Sequence, residues 1–317
     1  MARFLRKAWQ ALSQVPLLPP TPATWAVQPT KRFTKVPPPT ALKQISERPL
    51  VFVHDNFVSA DDCAAIREAA LALRPENEYD GKQLVELPPW PDTEGTAVPH
   101  ADVIESVFSR IDRVMGMERH AEEVRPKVHE YRPAAVACAD AAAAAAGVAR
   151  FDPLVSGFHV DINARPYRFA TAILYLSTTS DGSGATIFPC ASSNTTAINA
   201  ATDLLASGIY HTDQAQSDPS VRESAEVLLE MAGDGDDSDD ALFVRPEEGK
   251  LCLFFTCDDV GQCDPTSWHG AGTVHPQSSS SKWTLQCFKE IPLDARGTEE
   301  RRAEFVASLR RRLRDAP

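Results

Sequence analysis

The sequence predicts an α+β fold, an antiparallel barrel or sandwich of short strands with helices ahead of it. Helical spacing of apolar residues is concentrated before residue 116, and short apolar runs separated by turn residues follow residue 158. At 317 residues and 43% hydrophobic content the chain can bury a substantial core, which excludes collagen-like, coiled-coil and wholly disordered classes. No uninterrupted apolar stretch approaches a bilayer's width, because the best candidate, 134–149, is mostly alanine and contains Asp140. Seven cysteines without a CxxC pair argue against a disulfide framework or a zinc ribbon.

Arg3 to Val15 places Phe4, Leu5, Ala8, Trp9, Leu12 and Val15 on one side of a helix and its basic and polar residues on the other. This acid-free amphipathic helix suits a mitochondrial presequence, a membrane-surface helix, a partner-docking helix or a frayed basic tail. Eight prolines between Pro16 and Pro39 make an extended linker, so residues 1–46 form a leader unit. The expected location is mitochondrial, then cytoplasmic. A secretory signal fits less well, because Gln10, Ser13 and Gln14 interrupt its apolar core.

The folded unit is expected over 47–292. Leu50–Val53 is an apolar run, and Ser59 caps a helix from Ala60 to Leu73 with Asp61 and Asp62 in its first turn. Val103, Val107, Ile111 and Val114 give a second helix from Ala101 to Met115. Strands are expected at Phe158–Ile162, Arg168–Ser177, Ala185–Phe188, Lys250–Phe255 and Lys282–Lys289. Insertions fall near 134–150 and 190–246, the latter with a helix near Ser220–Met231 and an acidic loop from Asp234 to Asp240. A helix capped by Thr298 occupies the C-terminal segment, 293–317.

Residues two apart on a strand face the same way, so His159 and Asp161 can present an imidazole and a carboxylate to one metal. With a distant second histidine they would complete a 2-His-1-carboxylate face, typical of non-haem Fe(II) oxygenases. A second H-x-D, His211 to Asp213, has no strand after it and reads as an ordinary loop. Cys252, Cys257 and Cys263 match no zinc spacing and read as simple thiols, and Asn194-Thr195-Thr196 is a glycosylation sequon only in a secreted chain.

What surrounds His159 is more specific. R-F-A-T-A-I-L-Y-L-S (168–177), G-A-T-I-F-P (184–189), E-G-K-L-C-L-F-F (248–255), D-P-T-S-W-H-G-A-G (264–272) and K-W (282–283) follow in order. In that order the chain resembles the catalytic domain of the prolyl 4-hydroxylase α-subunit, a 2-oxoglutarate and Fe(II)-dependent dioxygenase. P-L-V-F-V-H-D-N-F-V-S-A-D-D-C (49–63) is similar to that family's opening strand and helix, and Lys127–Tyr131 to the strand before its metal motif. The resemblance spans about residues 47–291 and implies a double-stranded β-helix core, jelly-roll or cupin-like, flanked by N-terminal helices.

It further implies Fe(II) held by His159, Asp161 and His269, with Lys282 pairing the distal carboxylate of 2-oxoglutarate. No arginine lies between His269 and Arg296 to compete for that role. The family's tyrosine three residues before the first ligand is Ser156 here, which leaves Tyr175 or Thr186 to supply a hydroxyl. The implied reaction consumes O2, with ascorbate as an accessory reductant, and hydroxylates C4 of a peptidyl proline in a peptide or protein substrate. A small-molecule hydroxylase is a further possibility. Nucleic acid is disfavoured, because residues 1–46 hold seven Lys or Arg and no acid, leaving 25 basic and 44 acidic side chains, or −19, for the rest. The alternative is a hydroxylase-like structural subunit that docks to a larger, mitochondrial assembly through residues 1–46.

Overall fold

The computed structural model describes residues 42–73, 82–87, 98–134, 154–162, 165–191, 194–215, 218–232 and 241–315. The basic leader helix, the proline-rich linker up to residue 41, nearly all of the alanine-rich stretch and the acidic run Asp234–Asp240 lie outside them.

Strands β1 (Lys43–Glu47) and β2 (Leu50–His54) precede helix α1 (Ala60–Leu73), and β3 (Lys82–Glu86) precedes α2 (Ala101–Met115). Then come β4 (Lys127–Tyr131), β5 (Arg168–Tyr175), β6 (Thr186–Phe188), helices α3 (Thr195–Ala206), α4 (Thr212–Ala215) and α5 (Pro219–Glu230), and β7 (Leu242–Val244). The chain closes with β8 (Leu251–Phe255), β9 (Gly270–Ala271), β10 (Lys282–Glu290) and α6 (Glu299–Arg314). The larger sheet runs β1-β2-β8-β5-β10-β4-β3 and the smaller one β7-β6-β9, with every pairing antiparallel.

From β4 onward the chain alternates between these sheets. After β4 in the larger sheet, residues 154–159 bridge to β9 and its flank in the smaller one, through Leu154 with Gly272 and His159 with His269. The path returns to β5, crosses to β6 and β7, returns to β8, crosses to β9 and ends in β10. That alternation is a double-stranded β-helix.

Period-two alternation divides the core. Leu50 and Phe52 of β2, Ala170, Ala172 and Leu174 of β5, and Leu251, Leu253 and Phe255 of β8 share one apolar cluster with Ile66 of α1, Val107 of α2 and Phe305 of α6. Their neighbours Val51, Val53, Ile173, Tyr175, Cys252 and Phe254 form the cluster between the sheets. Both faces of the larger sheet are therefore covered, which is why β5 and β8 read as continuous apolar runs. Each large side chain buried this way contributes about 1.5–3 kcal/mol.

The helix signals act as local chemistry requires. Ser59 Oγ accepts the Asp62 N–H while Asp62 accepts the Ser59 N–H, a reciprocal cap, and Thr298 Oγ1 accepts the Arg301 N–H. Two expectations need correction. Phe158–Ile162 is not a continuous strand, because only His159 makes a ladder bridge and Asp161–Ile162 turn away. Arg168 Nη1 donates to the Asp161 carbonyl at 3.0 Å, taking up a group that a strand would have paired. The described residues of the 190–246 stretch hold three helices rather than one, and Asn194 is the cap of the first, its Oδ1 accepting from Thr196 and Ala197.

Candidate metal centre and anion pocket

His159 and His269 sit opposite each other on neighbouring segments of the smaller sheet, exchanging both backbone hydrogen bonds at 2.9 Å. Register-opposite residues share a face, so the two imidazoles project together with ring centroids 4.4 Å apart. The turn after Val160 brings Asp161 beneath them. Its Oδ1 lies 3.6 Å from His159 Nε2 and its Oδ2 lies 3.5 Å from His269 Nε2. Candidate ligand atoms from these three side chains all lie within 4.8 Å of one another, and among the described residues no other group of this kind occurs.

The donor set fits a divalent cation. His269 Nδ1 lies 3.0 Å from the Ser267 carbonyl, which can only accept, so the ring proton is there and the Nε2 lone pair faces the carboxylate. Two acceptors meet at 3.5 Å, and His269 Nε2, buried, has no hydrogen-bond partner. A cation between them turns that contact from cost into coordination. The fixed tautomer is the arrangement metal-bound histidines use. Asp161 Oδ2 also accepts the Thr171 hydroxyl at 2.6 Å, from the inward face of β5. Phe254 packs edge-on to the His269 ring at 4.6 Å, walling the site on one side.

A cavity of about 100 Å³ opens beside the histidines, and His159, His269, Thr186, Lys282, Tyr131 and Thr284 are among its lining. Lys282 is 1% exposed and its ammonium donates to the Gly184 carbonyl at 2.7 Å. It also stands 4.3 Å over the Tyr131 ring. Among the described residues no carboxylate faces it, and burial pushes its pKa down to about 7. Tyr131, missed by the sequence reading, is its register partner across β4 and β10, and burial lifts that phenol to about 12.

Tyr175 and Thr186 are brought together. The Tyr175 hydroxyl lies 2.7 Å from Thr186 Oγ1 and 3.1 Å from the Val244 carbonyl. Both oxygens are acceptors for the single phenol proton, and Thr186 Oγ1 is the closer of the two. Thr186 lines the cavity; Tyr175 lies behind it, fully buried, with its pKa well above the ordinary value. His211 and Asp213 lie outside the ligand cluster, yet His211 bridges to His159, a contact between a ligand strand and the insertion that the sequence reading did not anticipate. Cys252, Cys257 and Cys263 are free thiols. Cys252 belongs to the inter-sheet core, and burial pushes it up to about 12.

No family model and no curated protein matches the chain. Solved structures do. The chain is similar to a viral collagen prolyl hydroxylase from Paramecium bursaria Chlorella virus-1, in complex with 2-oxoglutarate, at 14% identity and a TM-score of 0.41 over 75% of this chain and 93% of that one. A Pseudomonas putida prolyl-4-hydroxylase aligns at 13% identity and 0.37, over 76% and 92%. A Trichoplax adhaerens prolyl hydroxylase in complex with a hypoxia-inducible-factor peptide aligns at 11% and 0.39, over 80% and 86%. At these values the likeness assigns nothing by itself; the fold follows from the strand alternation. Among the described residues no helix is long and apolar enough to cross a membrane.

Proposed function

We propose that the protein is an Fe(II)- and 2-oxoglutarate-dependent dioxygenase. One observation carries the reading: two imidazole nitrogens face opposite oxygens of one buried carboxylate, and beside the histidines a small cavity is lined by a buried lysine that has no acid partner among the described residues. In this reading His159, Asp161 and His269 hold Fe(II). The bound iron and 2-oxoglutarate supply the oxidation, coupling decarboxylation to hydroxylation of an unactivated C–H bond. The chain's own residues position and shield. Ser267 fixes the His269 tautomer, Thr171 orients Asp161, and Lys282 offers its charge to a carboxylate that replaces the missing acid. Phe254 and Phe188, at 4.6 and 5.8 Å from the His269 ring, keep water from that side.

The substrate proposed is peptidyl proline, on the motif resemblance of residues 168–283. The test is succinate release coupled to a +16 mass shift in a proline-rich peptide by purified protein with Fe(II), 2-oxoglutarate and O2. Asp161→Ala is expected to abolish both. Turnover unchanged in Asp161→Ala or His159→Ala overturns the metal assignment, whereas succinate formation without proline oxidation across a peptide library overturns the substrate alone.

A further inference from the structure

The insertion that interrupts the barrel between β6 and β7 returns to the metal centre at one place. Backbone bonds run from the Val160 N–H to the Tyr210 carbonyl at 3.1 Å and from the Thr212 N–H to the Phe158 carbonyl at 2.8 Å. Thr212 Oγ1 additionally accepts the Phe158 N–H at 3.0 Å. Residues 210–212 thus pair with the edge of the segment that carries His159, on the side away from His269.

The pattern of these bonds defines the pair. They flank His159 and His211 rather than joining them, so the two residues form a non-hydrogen-bonded antiparallel pair, the type that brings side chains closest. On its other side His159 makes a hydrogen-bonded pair with His269. His269, His159 and His211 consequently stand in one row across three adjoining segments, on one face. The His159 and His211 rings are stacked, 5.7 Å between centroids and 12° between planes.

Space for this contact is built in. Gly157 has φ +31°, and a β-carbon there would meet Asp213 Oδ1 at 2.8 Å and His211 Cε1 at 3.3 Å, besides colliding with Thr212. The His211 ring is itself held, because the Asp213 N–H donates to its Nδ1 at 3.2 Å. The insertion cannot drift from this position freely. Ala197, Ala201 and Leu204 of α3 and Val221 and Leu228 of α5 share a buried cluster with Phe158, Val160 and Trp268, the neighbours of the two histidines in the chain.

We infer that His211 is a positioning residue of the metal centre: its ring, delivered by the 190–246 insertion, stacks on His159 and holds that imidazole in the plane that aims Nε2 at Asp161. This rests on the metal reading proposed above. Of the two imidazoles, His269 is 3% exposed and packed by Ser267 and Phe254, and the His159 side chain, 31% exposed, has the His211 ring stacked against it. A ring with freedom to rotate about χ1 and χ2 loses that freedom on binding metal, so a stacked neighbour that removes it beforehand raises affinity.

The experiment is a titration of the full chain with Co(II) under anaerobic conditions, read by the visible d–d spectrum and by the dissociation constant, with His211→Leu, His211→Phe and His159→Ala alongside. His211→Leu keeps the bulk and the backbone pairing and removes the flat ring. It is expected to weaken Co(II) about 10-fold or more and to broaden the spectrum, and His211→Phe to restore both to within about 3-fold of the parent. Wild-type affinity and spectrum in His211→Leu overturn the inference, as does a His211→Phe variant as weak as His211→Leu. Thermal melting shows which variants are folded; if His211→Leu is not, His211→Gln takes its place with the same expected losses. His159→Ala separates the two readings: undiminished Co(II) binding there overturns the metal centre itself, whereas its loss together with an unaffected His211→Leu overturns only the role of His211.

Discussion

Strand β10 carries two buried lysines, and their surroundings are opposite. Lys282 and Lys289 are each 1% exposed, and an odd separation puts them on opposite faces of the larger sheet. Lys289 points toward α2, where its ammonium meets Asp112 at 2.9 Å and Glu123 at 3.0 Å, and Arg119 joins Asp112 at 2.9 Å. These carboxylates hold its pKa above the ordinary value despite burial. Lys282 points between the sheets, finds a carbonyl and an aromatic face, and is pushed down to about 7. The cavity beside Lys289 is the larger, about 470 Å³ against about 100 Å³, but its charges already answer one another. A buried cation that no carboxylate of the described residues answers is the better mark of an anion site than the size of a hollow.

The largest expected effect breaks the satisfied side. Lys289→Met takes the shared ammonium from buried Asp112 and Glu123, leaving Asp112 with Arg119, and is expected to destabilise the fold by about 3–5 kcal/mol, measured by urea unfolding at neutral pH. Lys282→Met is expected to have the opposite sign, raising the stability of the ligand-free protein, while abolishing 2-oxoglutarate binding measured calorimetrically with Mn(II) present. Equal losses of stability in both variants would show that the two lysines are alike after all.

The pH dependence sharpens the contrast. Between pH 7 and the ordinary lysine value of 10.5 the folded chain has released the Lys282 proton and the unfolded chain still holds it, so ligand-free stability gains a rising contribution across that window. Below pH 7 both states are protonated, and the cost of burying the charge is present in full. The difference between parent and Lys282→Met unfolding midpoints is expected to be greatest at pH 6–7 and to shrink toward pH 10, whereas saturating 2-oxoglutarate supplies the missing acid and flattens the curve.

The smallest effect concerns the hydroxyls behind the cavity. Tyr175→Phe removes a buried proton donor from the Val244 carbonyl and is expected to cost about 1 kcal/mol of stability while leaving 2-oxoglutarate affinity within about 2-fold. A large loss of affinity in a variant of normal stability would instead make the phenol a ligand contact.

How much could be seen in the sequence follows the range of the interactions. The helix over Ala60–Leu73 appears where its cap puts it and that over Ala101–Met115 where its periodicity puts it, because a cap and a 3.6-residue stripe are local. The strands Arg168–Tyr175 and Leu251–Phe255 announce themselves through burial on both faces. His159, Asp161, His269 and Lys282 were all legible as motif residues, and the structure gathers them around one cavity or its edge. What was not legible is who faces whom. Tyr131 meets Lys282 only through the β4–β10 register, and Thr171 meets Asp161 only because β5 passes under the turn. His211 looked like a chance H-x-D because nothing in its own neighbourhood states that residues 210–212 pair with 158–160. The α3 helix is hidden for a different reason: Asn194-Thr195-Thr196 has the form of a sequon, which matters only in a secreted chain, and the same asparagine is a strong N-cap.

The alternation of the chain between its sheets also sets an order in time. His159 and Asp161 leave the ribosome long before His269, and the backbone pairing that sets the two histidines opposite each other needs both segments. A nascent chain ending before residue 269 offers His159 and Asp161 without their opposite histidine, so the group of three candidate ligands is incomplete. In the reading proposed above, the centre is assembled only by this pairing of distant segments, and contacts so far apart in the chain form slowly.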